Sequence, residues 1–485
     1  MNNMSETLNK RVKTATKWST VGELAAKLVT PISSMVLARL LTPEAFGVVT
    51  TLAMIISFAE IFTDAGFQKY LIQHEFHDAN DRDESTNVAF WSNLVMSLVI
   101  WGIIAIYSEP LAALVGNPGL GHVLIIACVS IPLAAFSSIQ MALFKRDLDF
   151  KTLARVRIIS ALIPLFVTVP LAFWMRSYWA LVIGTITVNM CNAILLTVFS
   201  KWRPRFFYNF TKLKEMFSFT VWSMVEAISV WLTSYFDVFI VGTMLSQYYL
   251  GLYKTSSTLI GQIMGLVTAI TTPILFSALS RLQNSNEDFT RMFFKFQKYV
   301  GIIVLPIGVG IFCYSDLITS VLLGDQWMEA SRFVGLWGLT SAVAIIMSHY
   351  SSEVYRSLGK PKLSVLAQWL HIIVLWPGIL IAVRYGFEVL YVARSLLRLE
   401  LVLVNLCIIY FAIHISPWMM LKNILPSIVA SFIMLIVAYL LRTWDTSLWW
   451  QFLSILVCIL TYIVTILLFK KERDILNTYI FKIKR

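Results

Sequence analysis

Glu23 and Lys27 stand four residues apart in an otherwise apolar run, and so do Glu60 and Asp64. Four residues is just over one helical turn, so each pair shares a helix face. For Glu23 and Lys27 that spacing makes an internal ion pair. Glu60 and Asp64 repel when both are ionised. The second pair therefore either shares a proton, as a relay would, or answers a cation, Arg39 or Lys27, on a neighbouring helix. Glu226 and Asp237 are eleven apart, three turns, and again share a face. His349, Glu353 and Arg356 fall at i, i+4 and i+7, and Arg394 and Arg398 form a cationic pair, with Glu400 nearby but off that face. The five cysteines (Cys128, Cys191, Cys313, Cys407, Cys458) lie in apolar runs without ligand spacing. Lone histidines such as His349 and His371 read as satisfied core residues. Neither a metal site nor a catalytic constellation is indicated, and no GxxxxGK[ST] phosphate loop or other cofactor motif occurs.

The elements that must position these groups are membrane spans. The chain is 58% hydrophobic and 14% charged, against about 25% charged in soluble domains, so most of its surface must face lipid. A charge retained at a bilayer centre costs about 2.5–3.5 kcal/mol and requires a reason. Apolar runs long enough to cross lie near 18–41, 47–70, 87–107, 121–144, 153–175, 177–200, 217–243, 250–280, 292–314, 332–355, 362–384, 388–411, 421–441 and 447–469. These fourteen spans put 30 of the 39 lysines and arginines on the side of the two termini and 5 on the other. That asymmetry places both termini in the cytoplasm. It also accounts for the net charge of +12 without a nucleic-acid partner. External loops are short; the longest, YSDLITSVLLGDQWMEAS, is partly apolar.

A repeat organises the spans. ARLLTPEAFG (38–47) and GTMLSQYYLG (242–251) are 204 positions apart, and each links the first span of a set of six to the second. As a tight hairpin, Pro43 ends one helix, Gly47 permits the turn, and Thr42 or Ser246 caps the helix that follows. ALFKRDLDFK (142–151) and VYRSLGKPKL (354–363) each close a fourth span. The expected architecture is all-α: an N-terminal segment (1–17), a six-helix lobe (18–200), a linker (201–216), a second six-helix lobe (217–411), a final helix pair (412–470) and a basic tail (471–485). Six is even, so the lobes are related by a pseudo-two-fold along the membrane normal and enclose a central cavity.

Together LARLLTPEAFG, FTDAGFQKYLIQ, PILFSALSRLQ and LLGDQW, in this order and spacing, resemble the polysaccharide-transporter branch of the MATE-related (multidrug/oligosaccharidyl-lipid/polysaccharide) superfamily. That branch contains the Wzx-type lipid-linked oligosaccharide flippases, and the resemblance is closest to colanic-acid-type exporters. It implies fourteen helices and a role in moving an undecaprenyl-diphosphate-linked glycan from the cytoplasmic to the periplasmic leaflet of the inner membrane. It also implies a non-enzymatic transporter without cofactors that works beside a polysaccharide polymerase and chain-length machinery. A diphosphate crossing a low-dielectric region needs cationic cover, and arginine supplies it bidentately. Lys27, Arg39, Arg394 and Arg398 are the candidates for that contact, unless they only neutralise the acids. Glu23, Glu60, Asp64, Glu226, Asp237 and Glu353 are the candidates for ion coupling or ion pairing. A cation or drug antiporter of the same superfamily is the alternative reading. A membrane-embedded glycan polymerase or ligase fits the short external loops poorly.

Overall fold

A computed structural model describes the backbone of residues 2–473 except 65, 361, 446 and 471, and the side chains of those residues except 2–13, 64, 217–223, 225 and 226. Most of the expected basic tail, 474–485, lies outside the described residues. Among the described residues fourteen helices are long and apolar enough to span a membrane: α1 Thr14–Leu40, α2 Pro43–Thr63, α3 Ala79–Ile106, α4 Gly121–Arg146, α5 Phe150–Met175, α6 Trp179–Phe199, α7 Ala227–Met244, α8 Gln247–Arg281, α9 Asn286–Cys313, α10 Asp325–Ser357, α11 Lys362–Tyr385, α12 Phe387–Ile413, α13 Pro417–Trp444 and α14 Leu448–Leu468. The described residues include no strand. Below, the end of each helix near the lysine- and arginine-rich loops is the basic end, and the opposite end is the outer end.

Three spans carry a five-residue π-helical segment: Pro164–Thr168 in α5, Ile345–His349 in α10 and Ile409–Ile413 in α12. In α5 the cause is visible, because Pro164 has no N–H to give to the ladder. In α10 the widened turn ends at His349, so the i, i+4, i+7 stripe through Glu353 and Arg356 is not continuous. The segment after α9, expected as the longest outer loop, is ordered. It forms the helix Ser315–Leu322 and the 3-10 turn Asp325–Ala330. Trp327 is fully buried there. Asp316 pairs with Arg442 of α13 at 2.9 Å, and Tyr314 Oη donates to Ser454 Oγ of α14 at 2.9 Å.

The chain divides into two compact units, Met1–Lys254 and Thr255–Arg485. In the first, α1 packs on α5, α4 lies between α3 and α6, and α7 runs against α2. Its apolar core has an outer cluster around Leu52, Ile104, Leu124 and Ile131, and a basic-end cluster around Phe67, Leu71, Phe90 and Ile139. Lys212, ahead of α7, binds Asp81 at 2.6 Å and Glu84 at 2.9 Å. Burial pulls its ammonium pKa down, and these two acceptors more than reverse that, leaving it raised. In the second unit α9 packs against α10 and α13, α13 against α14, and α12 against both α10 and α11.

The repeat is resolved in the first unit, and its glycines do not do what a hairpin asks. Gly47 and Gly251 lie inside α2 and α8, one turn past the start, and neither has a left-handed φ. A Cβ on Gly47 would sit 1.9 Å from the Gln247 carbonyl oxygen, and one on Gly251 would sit 1.8 Å from that of Pro43. Pro43 and Gln247 are themselves equivalent positions, 204 apart, so the two copies clasp each other reciprocally. A third contact joins them: a Cβ on Gly116 would meet the Gly242 carbonyl oxygen at 1.9 Å. Gln247 Nε2 donates to the Gly116 carbonyl at 2.9 Å. Three chain segments thus meet backbone to backbone at the outer end of this unit.

The second echo is the same helix ending twice. After α4, Asp149 N donates to Phe144 O at 2.9 Å, with Leu148 at φ 57. After α10, Lys360 N donates to Tyr355 O at 2.8 Å, with Gly359 at φ 67. Both are six-to-one closures around a left-handed residue.

Candidate functional site

Within the first unit, five spans leave a cavity of about 410 Å³ in the half nearer the basic end. Ser57 and Glu60 enter it from α2, Asn93 from α3, Ser137 and Ser138 from α4, and Asn189 and Asn192 from α6. Gln68 and Lys69 come from the short helix Phe67–Gln73 that follows α2. Glu60 and Lys69 are the charged side chains among the described residues of the lining; the rest of its polarity is amide and hydroxyl.

Local sequence explains how these groups are held. Asn93 faces α4, and its Nδ2 donates to Ser138 Oγ at 2.7 Å and to the Ala135 carbonyl at 3.3 Å. Its Oδ1 is buried without a partner, a state that costs about 1–3 kcal/mol. Asn192 Oδ1 accepts from Ser160 Oγ at 2.5 Å, and Asn189 Nδ2 donates to the Thr185 carbonyl at 3.2 Å. Lys145 Nζ donates to Gln68 Oε1 at 3.4 Å. From α7, Trp231 Nε1 donates to Ser57 Oγ at 3.1 Å. Such a lining offers donors and acceptors in many directions with little net charge, which suits a ligand rich in hydroxyls. Its volume lies within the usual range of ligand sites, about 300–1,000 Å³.

The second unit arranges its charges differently. Arg398 of α12 lies over the Trp337 ring of α10 with its Cζ 3.6 Å from the centroid, and Arg394 Cζ is 5.2 Å from it. Arg398 Nη1 also donates to Ser341 Oγ. Glu400, two residues on and so on the opposite face of α12, pairs with His371 Nδ1 of α11 at 2.6 Å. Glu353 is buried and pairs with Arg356 at 3.3 Å.

The remaining sequence candidates fall elsewhere. Glu23 and Lys27 form an ion pair at 3.4 Å on α1. Arg39 is exposed in the last turn of the same helix. Asp237 is buried and accepts from Tyr253 Oη at 2.6 Å. The side chains of Asp64 and Glu226 lie outside the described residues. None of the four basic candidates, Lys27, Arg39, Arg394 and Arg398, lines the cavity of the first unit; of the acids, Glu60 does.

The family model of a polysaccharide biosynthesis protein matches residues 36–332, more than half of the chain. The chain belongs to this polysaccharide biosynthesis family. Two curated relatives agree. The succinoglycan biosynthesis transport protein ExoT of Rhizobium meliloti (strain 1021) is 23% identical over 345 residues, 70% of this chain and 68% of that protein. The lipopolysaccharide biosynthesis protein WzxC of Escherichia coli (strain K12) is 21% identical over 362 residues, 74% of this chain and 70% of that one. Among solved structures, the lipid II flippase MurJ in an inward closed conformation superposes with a TM-score of 0.71 at 14% identity, covering 94% of this chain and 99% of that one. At that identity the likeness is one of fold. This family member is therefore a multi-pass membrane protein with a MurJ-like helical fold.

Reasoning from charge alone missed most of the cavity. Asn93, Asn189, Asn192, Ser137 and Ser138 are neutral, yet each stands inside an apolar span, where an unpaired amide is nearly as conspicuous as a charge. Asn189 and Asn192, at i and i+3, carried the signal. Trp337 gave none, since nothing in the sequence separates a tryptophan under two arginines from one facing lipid.

Proposed function

We propose that this protein flips a lipid-linked oligosaccharide, carried on undecaprenyl diphosphate, from the cytoplasmic to the periplasmic leaflet of a bacterial inner membrane by alternating access. The observation that carries the reading is the amide- and hydroxyl-lined cavity, set among apolar spans of a polysaccharide biosynthesis family member. A sugar headgroup brings many hydroxyls and little charge, and that is what this lining can pair. The isoprenoid tail stays in lipid. Arg394 and Arg398 would meet the diphosphate, with the Trp337 ring beside both guanidiniums. Glu60 would serve the sugar or a coupled ion.

In this reading both termini are cytoplasmic, and alternating access is carried by the two six-helix lobes, 18–200 and 217–411. The protein performs no covalent chemistry itself, and the polymerase and chain-length machinery consume its product. The test is a deletion strain. Lipid-linked repeat units should accumulate on the cytoplasmic leaflet and clear when the wild-type gene is restored; normal polysaccharide export in the deletion strain rejects the proposal. Glu60, the acid among the described residues of the cavity, also supports the second reading, a cation antiporter. Robust proton-coupled ethidium efflux from everted vesicles would favour that reading over flipping.

A further inference from the structure

A second cavity, of about 520 Å³, opens at the basic end of the second unit, between α9, α13 and the chain just past α14. Its walls are apolar: Phe294 from α9, Met419 and Pro426 from α13, and Phe469. Its polar groups are three lysines, Lys298, Lys422 and Lys470, one carboxylate, Glu472, and Asn423. Glu472 is committed. It is 2% exposed and bound to Lys298 at 2.7 Å, which straps the end of α14 to α9. Asn423 is committed too, since Nδ2 donates to the Phe294 carbonyl at 2.7 Å and to Gln297 Oε1 at 3.1 Å. Lys422 and Lys470 are exposed and form no ion pair among the described residues. The cleft therefore carries two positive charges that its own acid does not balance, above a floor that water would avoid.

The surroundings fix its depth. Trp418 is 71% exposed beside Met419, and Leu468 is 77% exposed where α14 ends. An interfacial tryptophan at the start of one span and an apolar residue at the end of another put the lysines at headgroup level and the phenylalanines just below. A soluble anion would leave that apolar floor wet. A lipid with an anionic head satisfies both halves.

We propose that this cleft is a binding site for one anionic glycerophospholipid, its phosphate held by Lys422 and Lys470 and its first methylenes laid over Phe294, Met419 and Phe469. Basic pockets between spans on the positively charged side of a bilayer have the right chemistry for such heads. The inference needs only a membrane and does not depend on what the protein transports.

The full-length protein in detergent, titrated with phosphatidylglycerol or phosphatidylcholine and read by native mass spectrometry, tests it. The wild type should retain phosphatidylglycerol about tenfold better than phosphatidylcholine. Lys422→Gln with Lys470→Gln should remove that preference. Lys201→Gln with Lys214→Gln, an equal charge loss at the basic end of the first unit, should leave it intact, and thermal unfolding of both doubles should match the wild type. No preference in the wild type, or equal loss in the two doubles, overturns the site in favour of a diffuse positive field. Displacement of phosphatidylglycerol by an equimolar isoprenyl diphosphate overturns it in another way, by giving the cleft to the transported class of lipid.

Discussion

Helices α4 and α10 are copies by the repeat, ending in the same left-handed cap, yet they carry different polarity inside a membrane, a neutral amide against one and an arginine against the other. Along α4, Ser138 and the Ala135 carbonyl support a neutral amide, Asn93 of α3, beside open space, and one acceptor of that amide is left without a partner. Along α10, Trp337 and Ser341 take up the charge of Arg398, and the nearby acids Glu353 and Glu400 each have a basic partner. A polar group whose needs are met internally is already positioned. One whose needs are unmet is prepared for something that arrives. By that measure, and on the proposed function, the cavity around Asn93 would receive the polar part of a ligand while Arg398 is fixed charge.

The comparison presumes that the halves are true copies, and that premise can be broken most severely at the outer clasp. Gly47→Ala and Gly251→Ala each force a methyl group into a carbonyl oxygen closer than 2 Å. Backbone cannot yield there without parting α2 from α8, so each variant should lose transport more than tenfold. Each should also expose an added Thr51→Cys, fully buried beside Gly242 in the wild type, to a membrane-impermeant thiol reagent. Similar defects in the two variants are the signature of reciprocity; a silent one at either position would mean the clasp is not a pair.

Next in size is Asn93→Leu, close in volume. It removes the unpartnered acceptor, so thermal stability in detergent should hold or rise while transport falls at least tenfold. A drop in both would make Asn93 an ordinary packing residue and erase its contrast with Arg398. In the second unit, Arg398→Ala should reduce export about tenfold, the worth of one charge-assisted contact, with membrane insertion unchanged. Unaltered export would confine Arg398 to bracing α10 against α12.

The fold was legible because its signals are long. Fourteen apolar runs and a 30-to-5 split of basic residues between the two sides survive errors of several residues at every boundary. The site was less legible for a physical reason. Charge announces itself inside an apolar run, so Glu60 stood out. Neutral asparagines on separate spans converge only through packing that sequence spacing does not encode. Gly47 shows the same limit: a glycine near a helix start reads as a turn, whereas its use here, a close approach to a segment 200 positions away, depends on tertiary contact alone.

The smallest effect isolates the backbone beneath the comparison. Leu148 and Gly359 occupy the same left-handed position, at φ 57 and φ 67. An L-residue pays about 1–2 kcal/mol there, and glycine pays almost nothing. No atom lies within 4 Å of a Cβ at Gly359, so crowding adds nothing and the penalty is conformational. Gly359→Ala should therefore cost about 1 kcal/mol, read as a fall of a few degrees in thermal unfolding. Leu148→Gly should gain a similar amount, less what the half-buried leucine side chain contributes by packing. Opposite signs at the two positions would show that α4 and α10 share one ending and differ in what they carry; equal signs would mean the two caps are held by different contacts, and the repeat would not extend to this end of the helices.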